Sequence, residues 1–169
     1  MQNWLKTVLF VSAFSPTLLV LAGVRFYSNG SFDAITLQLV VVSLLGIVLP
    51  FLILKLARDE AQKENFTAKK VESADYFLFV FLGSYAAPIV MKMADIEFLT
   101  ASILVSLIFV VAWLVSNIPS HPLLYLIKLR FYKVESSDGM VYILITRRTI
   151  RSPRDIKQVM KLSDGMIME

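Results

Sequence analysis

Side chains that could break or make bonds are scarce in this sequence. It has no cysteine and a single histidine, His121, between Ser120 and Pro122. A thiol nucleophile, a Cys-based zinc site and a histidine cluster for metal chemistry are therefore excluded. No acid stands in sequence to orient His121, and neither a G-x-S-x-G elbow nor a glycine-rich phosphate loop accompanies it. His121 reads as a polar residue at the edge of an apolar segment, and the chain reads as a non-enzyme with no cofactor and no metal. What remains for recognition is positive charge. Arg147, Arg148, Arg151 and Arg154 form the densest basic cluster. Three ligands suit it: anionic headgroups as the default beside a membrane, an acidic partner protein next, and nucleic acid least, so that no direct nucleic-acid contact is expected. A second set, Arg58, Lys63, Lys69 and Lys70, is interleaved with acids. Such a run is usually a solvated face, with a docking surface for a partner as the alternative.

The elements that must position these groups are mostly apolar. Hydrophobic residues make up 57% of the 169 and charged ones 18%, with a mean hydropathy of +0.69. A soluble domain averages about 45–50% and about 25%, so the composition is that of a membrane protein. Four apolar stretches, about 7–24, 34–54, 76–94 and 98–115, approach the roughly 20 residues that a bilayer core requires. Lys92 extends the third by sending its ammonium to the headgroups, and the segment of Pro119 and Pro122 ends the fourth. Otherwise no ionisable residue falls within a span, which counts against proton-coupled transporters, voltage sensors and intramembrane hydrolases. Pro16, Pro50, Pro88 and Pro119 accompany Ser12, Ser15, Ser43, Ser84, Ser102 and Ser106. They predict kinked helices, lining a pore or moving as a switch, or ordinary helix packing, which is the commoner use.

Four crossings place all of the 17 basic residues except Arg25 and Lys92 on one side. The positive-inside rule makes that side cytoplasmic, with both termini there. The first span lacks a following small-x-small site and is expected to stay uncleaved. The expected fold is thus a membrane all-α four-helix transmembrane bundle, 1–120, carrying a small cytoplasmic α+β tail, 121–169, built of a β-hairpin plus a short helix. Its cytoplasmic middle loop, 57–75, holds opposite charges at helical spacing and is expected to prolong the second and third spans as a solvated helical hairpin. In the tail, two strand-like runs, 131–135 and 140–146, flank Asp138-Gly139, a hairpin turn signal. Ser152-Pro153 followed by Asp155 predicts the start of a helix presenting Ile156, Val159 and Met160 on one side, and Ser163-Asp164-Gly165 predicts a turn into a last strand, Met166 to Met168. So small a tail makes a marginal core and is expected to lean on sister subunits, a partner or the membrane surface.

The tail also carries a resemblance. His121-Pro122-Leu123-Leu124, Arg130-Phe131-Tyr132-Lys133-Val134-Glu135, Gly139, Tyr142-Ile143-Leu144-Ile145-Thr146-Arg147-Arg148, Ile150-Arg151 and Leu162-Ser163 are similar to the tail of the KwaA family, the membrane subunits of the bacterial Kiwa anti-phage system. The resemblance implies a homo-oligomeric inner-membrane protein, a tetramer, that detects phage attachment or envelope disturbance. It further implies a cytoplasmic DNA-binding effector, KwaB, as partner. Contacts to that partner or to lipid are then expected from Phe131, Tyr132, Lys133, Arg147, Arg148, Arg151 and Arg154 in the tail and from Arg58, Lys63, Lys69 and Lys70 in the middle loop. The competing reading is a small homo-oligomeric pore that depolarises the membrane on its own.

Overall fold

The computed structural model describes residues 4–74, 77–115 and 121–169. In chain order, α1 (Trp4–Ala13), α2 (Ser15–Asn29) and α3 (Ala34–Glu60) precede strands β1 (Lys63–Asn65) and β2 (Ala68–Ser73). Helices α4 (Phe77–Met93), α5 (Phe98–Val115) and the short α6 (Pro122–Leu126) follow, and then β3 (Arg130–Ser136), β4 (Val141–Thr146), β5 (Gln158–Ser163) and β6 (Met166–Met168). Apolar helices thus occupy all four predicted stretches. Two runs, Thr7–Asn29 and Ala34–Arg58, have the length and apolarity to cross a membrane, whereas Leu78–Met93 and Phe98–Leu114 are apolar but shorter.

The first stretch is two helices because of Pro16. A proline has no N–H to donate backwards, so it sits comfortably only in the opening turn of a helix, and α2 restarts at Ser15 to place it there. Pro50 and Pro88 lie inside continuous helices, and Pro119 lies outside the described residues. At its far end α2 stops on Gly30, whose φ of +65° is the left-handed cap and whose N–H donates to the Phe26 carbonyl. Asp33 then caps α3 by accepting the Thr36 N–H at 2.9 Å, and it also accepts Arg25 Nε at 3.0 Å. The Arg25 and Thr36 bonds hold the Asp33 carboxyl well below the usual carboxylate range. Arg25 in turn lies 4.5 Å over the Phe98 ring, tying the α2–α3 turn to the start of α5.

Beyond the helices the chain forms one six-stranded sheet in the order β1-β5-β6-β4-β3-β2, antiparallel except for the β4–β6 pair. The expected hairpin is β3–β4, turning at Asp138-Gly139 with Gly139 at φ +78°. The turn at Asp164-Gly165 does deliver the last strand, β6. Two expectations are corrected. The middle loop is no helical hairpin: after α3 it supplies both edge strands, β1 against β5 and β2 against β3. Helical charge pairs offer only about 0.2–0.5 kcal/mol each, whereas strand pairing satisfies a whole ladder of backbone groups and lets Phe66, Ala68 and Val71 pack on the sheet. The other correction concerns Ser152-Pro153. The capping box with Asp155 forms, yet it opens a single 3-10 turn, Pro153–Asp155, and the chain then enters β5. Val159 and Met160 consequently point to opposite faces of a strand.

Each face of the sheet has its own core. One buries Phe131, Ile143, Ile145, Met166 and Met168 beneath Leu5 and Leu9 of α1, Leu54 of α3 and Leu124 of α6. The other buries Tyr132, Val134, Leu144, Val159 and Ile167 under Ile150 and Ile156 of the β4–β5 loop. The tail therefore leans on its own chain.

Candidate functional site at the broken first helix

The break between α1 and α2 leaves backbone groups without helical partners, and side chains from α3 and α4 complete them. Phe14 N–H donates to Val11 C=O at 3.1 Å and Thr17 N–H to Phe14 C=O at 2.9 Å, tight turns that bypass the Ala13 carbonyl. Tyr85 of α4 donates its hydroxyl to that carbonyl at 2.6 Å. Ser43 of α3 donates to Ser15 C=O at 2.7 Å. Ser84 of α4 gives its proton to Phe81 C=O at 2.7 Å, so the Thr17 hydroxyl donates to Ser84 Oγ, 3.1 Å away. Ser12 likewise gives its proton to Leu9 C=O at 3.0 Å, which makes His121 Nε2 the donor to Ser12 Oγ at 3.1 Å. Each bond is worth only about 0.5–1.5 kcal/mol net, but an unmade one in an apolar surround costs about 1–3 kcal/mol. The break is therefore well defined only when the collar is complete.

Close packing fixes the same place. A Cβ on Gly46 of α3 would collide with Ser15 Oγ and lie 2.8 Å from Ser15 Cβ, so only glycine lets α2 approach α3 this closely. Below the break, Phe10, Phe14, Phe81 and Phe109 meet at ring separations of 5.0 to 5.9 Å, a spacing at which aromatic pairs attract beyond their area burial. The short helix α1 consequently belongs to two cores. Phe10 and Ala13 face the helices, while Leu5 and Leu9, one turn apart, face the sheet. The side chains gathered at the break are hydroxyls and one imidazole. They hold a joint. Among the described residues no three His, Cys, Asp or Glu side chains gather where a metal could be held.

His121 is fully buried, and Nδ1 has no hydrogen-bond partner. Burial pushes the imidazole down to about 4, so it is neutral at physiological pH. The unfolded chain binds its proton near pH 6.5. Stability from the neutral form is therefore complete above that pH and is lost as pH falls through 6.5 towards 4, a loss on the order of 3 kcal/mol. His121→Gln, which removes the titration at nearly the same volume, is expected to flatten thermal stability over this pH window. His121→Ala is expected to cost about 2–4 kcal/mol at neutral pH through the cavity it leaves. A wild-type profile already flat from pH 7 to 4.5 would contradict this.

The contact residues expected from sequence are dispersed. Phe131 and Tyr132 are core side chains on opposite faces of β3, buried at 1% and 5% exposure, with the Tyr132 hydroxyl accepting Ile150 N–H at 3.2 Å. Burial in the sheet therefore corrects their reading as surface contacts. Lys133 is half-buried. Lys69 and Lys70 lie on the β2 edge beside Glu135 and Glu72. Arg148 pairs with Glu169, while Arg147, Arg151 and Arg154 are exposed. Arg58, Lys63 and Arg148 do meet, in one cleft.

A family model for the anti-phage protein KwaA matches residues 5–168. The chain belongs to the KwaA family. Neither a comparison with curated proteins nor one with solved structures finds a match. The match runs through both the helices and the sheet, so the joint between them lies within what makes this a KwaA-family chain, and its biological setting is anti-phage defence. The sequence points to Pro16 and its serines but not to Tyr85, Gly46 or the two-sided role of α1. The available signal was local: Ser12, Ser15 and Thr17 crowd around Pro16 in an otherwise apolar run.

Proposed function

We propose that this KwaA-family protein is a non-enzymatic sensor and scaffold of anti-phage defence, embedded in the bacterial inner membrane by four crossings with the sheet on the cytoplasmic side. The observation that carries the reading is the double membership of α1: a displacement among the long helices moves Leu5 and Leu9 against the sheet. Phage attachment or envelope disturbance would supply the displacement. The apolar surface of α3 supports the membrane setting, since only 17% of its most apolar stretch is buried within the chain. That same surface leaves room for sister subunits, in keeping with a homo-oligomer, a tetramer, in the membrane.

The docking site for a cytoplasmic effector of the KwaB kind is the exposed set Arg147, Arg151 and Arg154. Arg151 and Arg154 lie on the loop that covers the sheet face turned away from the helices, which suits a protein partner better than headgroups. R147Q/R151Q/R154Q is expected to lose effector co-purification and at least tenfold in phage protection while remaining in the membrane fraction. Undiminished co-purification would contradict the assignment. The pore reading has less support, because Ser12, Ser43 and Ser84 are spent on the collar and Ser102 and Ser106 donate to carbonyls of their own helix. Depolarisation on expression without an effector would favour the pore.

A further inference from the structure

A cleft of about 840 Å³ lies beside the end of α3, lined by Arg58, Lys63, Asn65, Lys157, Gln158 and Met160, among others. Its orientation follows from strand register. Lys63 pairs with Met160 and Met160 with Met168, so all three project from one face. Met168 packs in the core with Leu5, Leu9 and Leu54. Lys63, Asn65, Gln158 and Met160 therefore continue the helix-facing side of the sheet past the point where helices cover it. Arg58, in the last turn of α3, closes the cleft from the helical side.

The charge balance is equally specific. Of the two acids among the described residues that line the cleft, Glu169 is taken by Arg148, and the Asp155 carboxylate accepts the N–H groups of Arg151 and Ser152. Among the described residues no carboxylate lies within ion-pair distance of Arg58, Lys63 or Lys157. Three cations from three separate segments converge on one concavity, with amide side chains between them and a methionine wall behind. Such a set recognises a phosphate and its ester oxygens.

We propose that this cleft binds the phosphate of an anionic phospholipid headgroup, drawn from the leaflet at the end of α3. The inference rests on the reading that α3 crosses a membrane and is independent of effector docking. A lipid is favoured over a soluble anion because the cleft opens on the helix-facing side of the sheet, and Met160 and Met168 offer apolar contact where a glycerol backbone would enter. A lipid held there touches the end of α3 and both β1 and β5, clamping the sheet to the membrane.

The test uses the full chain in phosphatidylcholine nanodiscs, with and without phosphatidylglycerol. Phosphatidylglycerol is expected to raise the thermal midpoint by several degrees, as a ligand of the native state must. R58Q/K63Q/K157Q is expected to lose that rise, K63Q/K157Q, which spares the helix end, to lose at least half of it, and R58K/K63R/K157R to retain it. R147Q/R151Q/R154Q, with the same charge loss elsewhere, is expected to keep the rise. A rise that survives in the cleft variants, that disappears equally in the distant variant, or that inorganic phosphate reproduces in phosphatidylcholine alone overturns the headgroup site. Failure of the chain to enter nanodiscs at all overturns instead the membrane reading beneath it.

Discussion

Gly46→Ala is expected to destabilise the protein by about 1–3 kcal/mol and to abolish phage protection, against the ordinary effect of that substitution in a helix. Alanine normally gains about 0.8–1 kcal/mol over glycine in a helix interior. Here the new methyl group would lie 2.8 Å from Ser15 Cβ, an atom fixed to the backbone that no rotamer change can remove. Overpacking of this kind costs about 1–3 kcal/mol, so the steric term wins. Separating α2 from α3 also stretches the 2.7 Å bond from Ser43 to Ser15 C=O, opening the collar. Ser15→Gly removes both offending atoms and leaves the carbonyl that Ser43 needs, so G46A/S15G is expected to recover stability and protection. A double variant as impaired as G46A would show that Gly46 acts through something other than this crossing.

Leu5→Ala with Leu9→Ala is expected to release the sheet from the helices. Both leucines are essentially inaccessible and share a core with Phe131, Ile145 and Met166. Each truncation costs about 2–5 kcal/mol where the site cannot collapse. The sheet's other core involves none of the six helices, and its strand pairing does not use α1. The expected result is an intact sheet loosely joined to intact helices. It is read as faster limited proteolysis between α3 and β1 and near-complete loss of protection, with the aromatic cluster around Phe81 unchanged. Wild-type protease resistance would place the linkage elsewhere.

The helices were legible because apolar runs and a scarcity of charge are local properties, whereas Pro16, read as a kink within one span, proves to divide the first stretch into two helices. The β3–β4 hairpin was legible for the same reason, through Asp138-Gly139. What stayed hidden was long-range. Lys63 to Ser73 looks like a charged helix because its strand partners lie far away in the tail, and an edge strand is free to carry lysines and glutamates outward. Phe131 and Tyr132 looked like contact residues until the sheet acquired a covering on both faces. The collar was half visible: hydroxyls beside a proline mark a break, but that Tyr85 and His121 complete it depends on where α4 and the chain after α5 come to rest.

Transmission of the state of the helices to the sheet through α1 is read by hydrogen exchange on the G46A protein in nanodiscs. The perturbation is made at the α2–α3 crossing, and the readout is taken on β4 and β6, whose Ile143, Ile145, Met166 and Met168 share a core with Leu5 and Leu9. Faster exchange is expected of the amides of Ile143 to Ile145 and Met166 to Met168 together with those of α1, with restoration of both in G46A/S15G. Faster exchange confined to α2 and α3, with the strands unchanged, would contradict it.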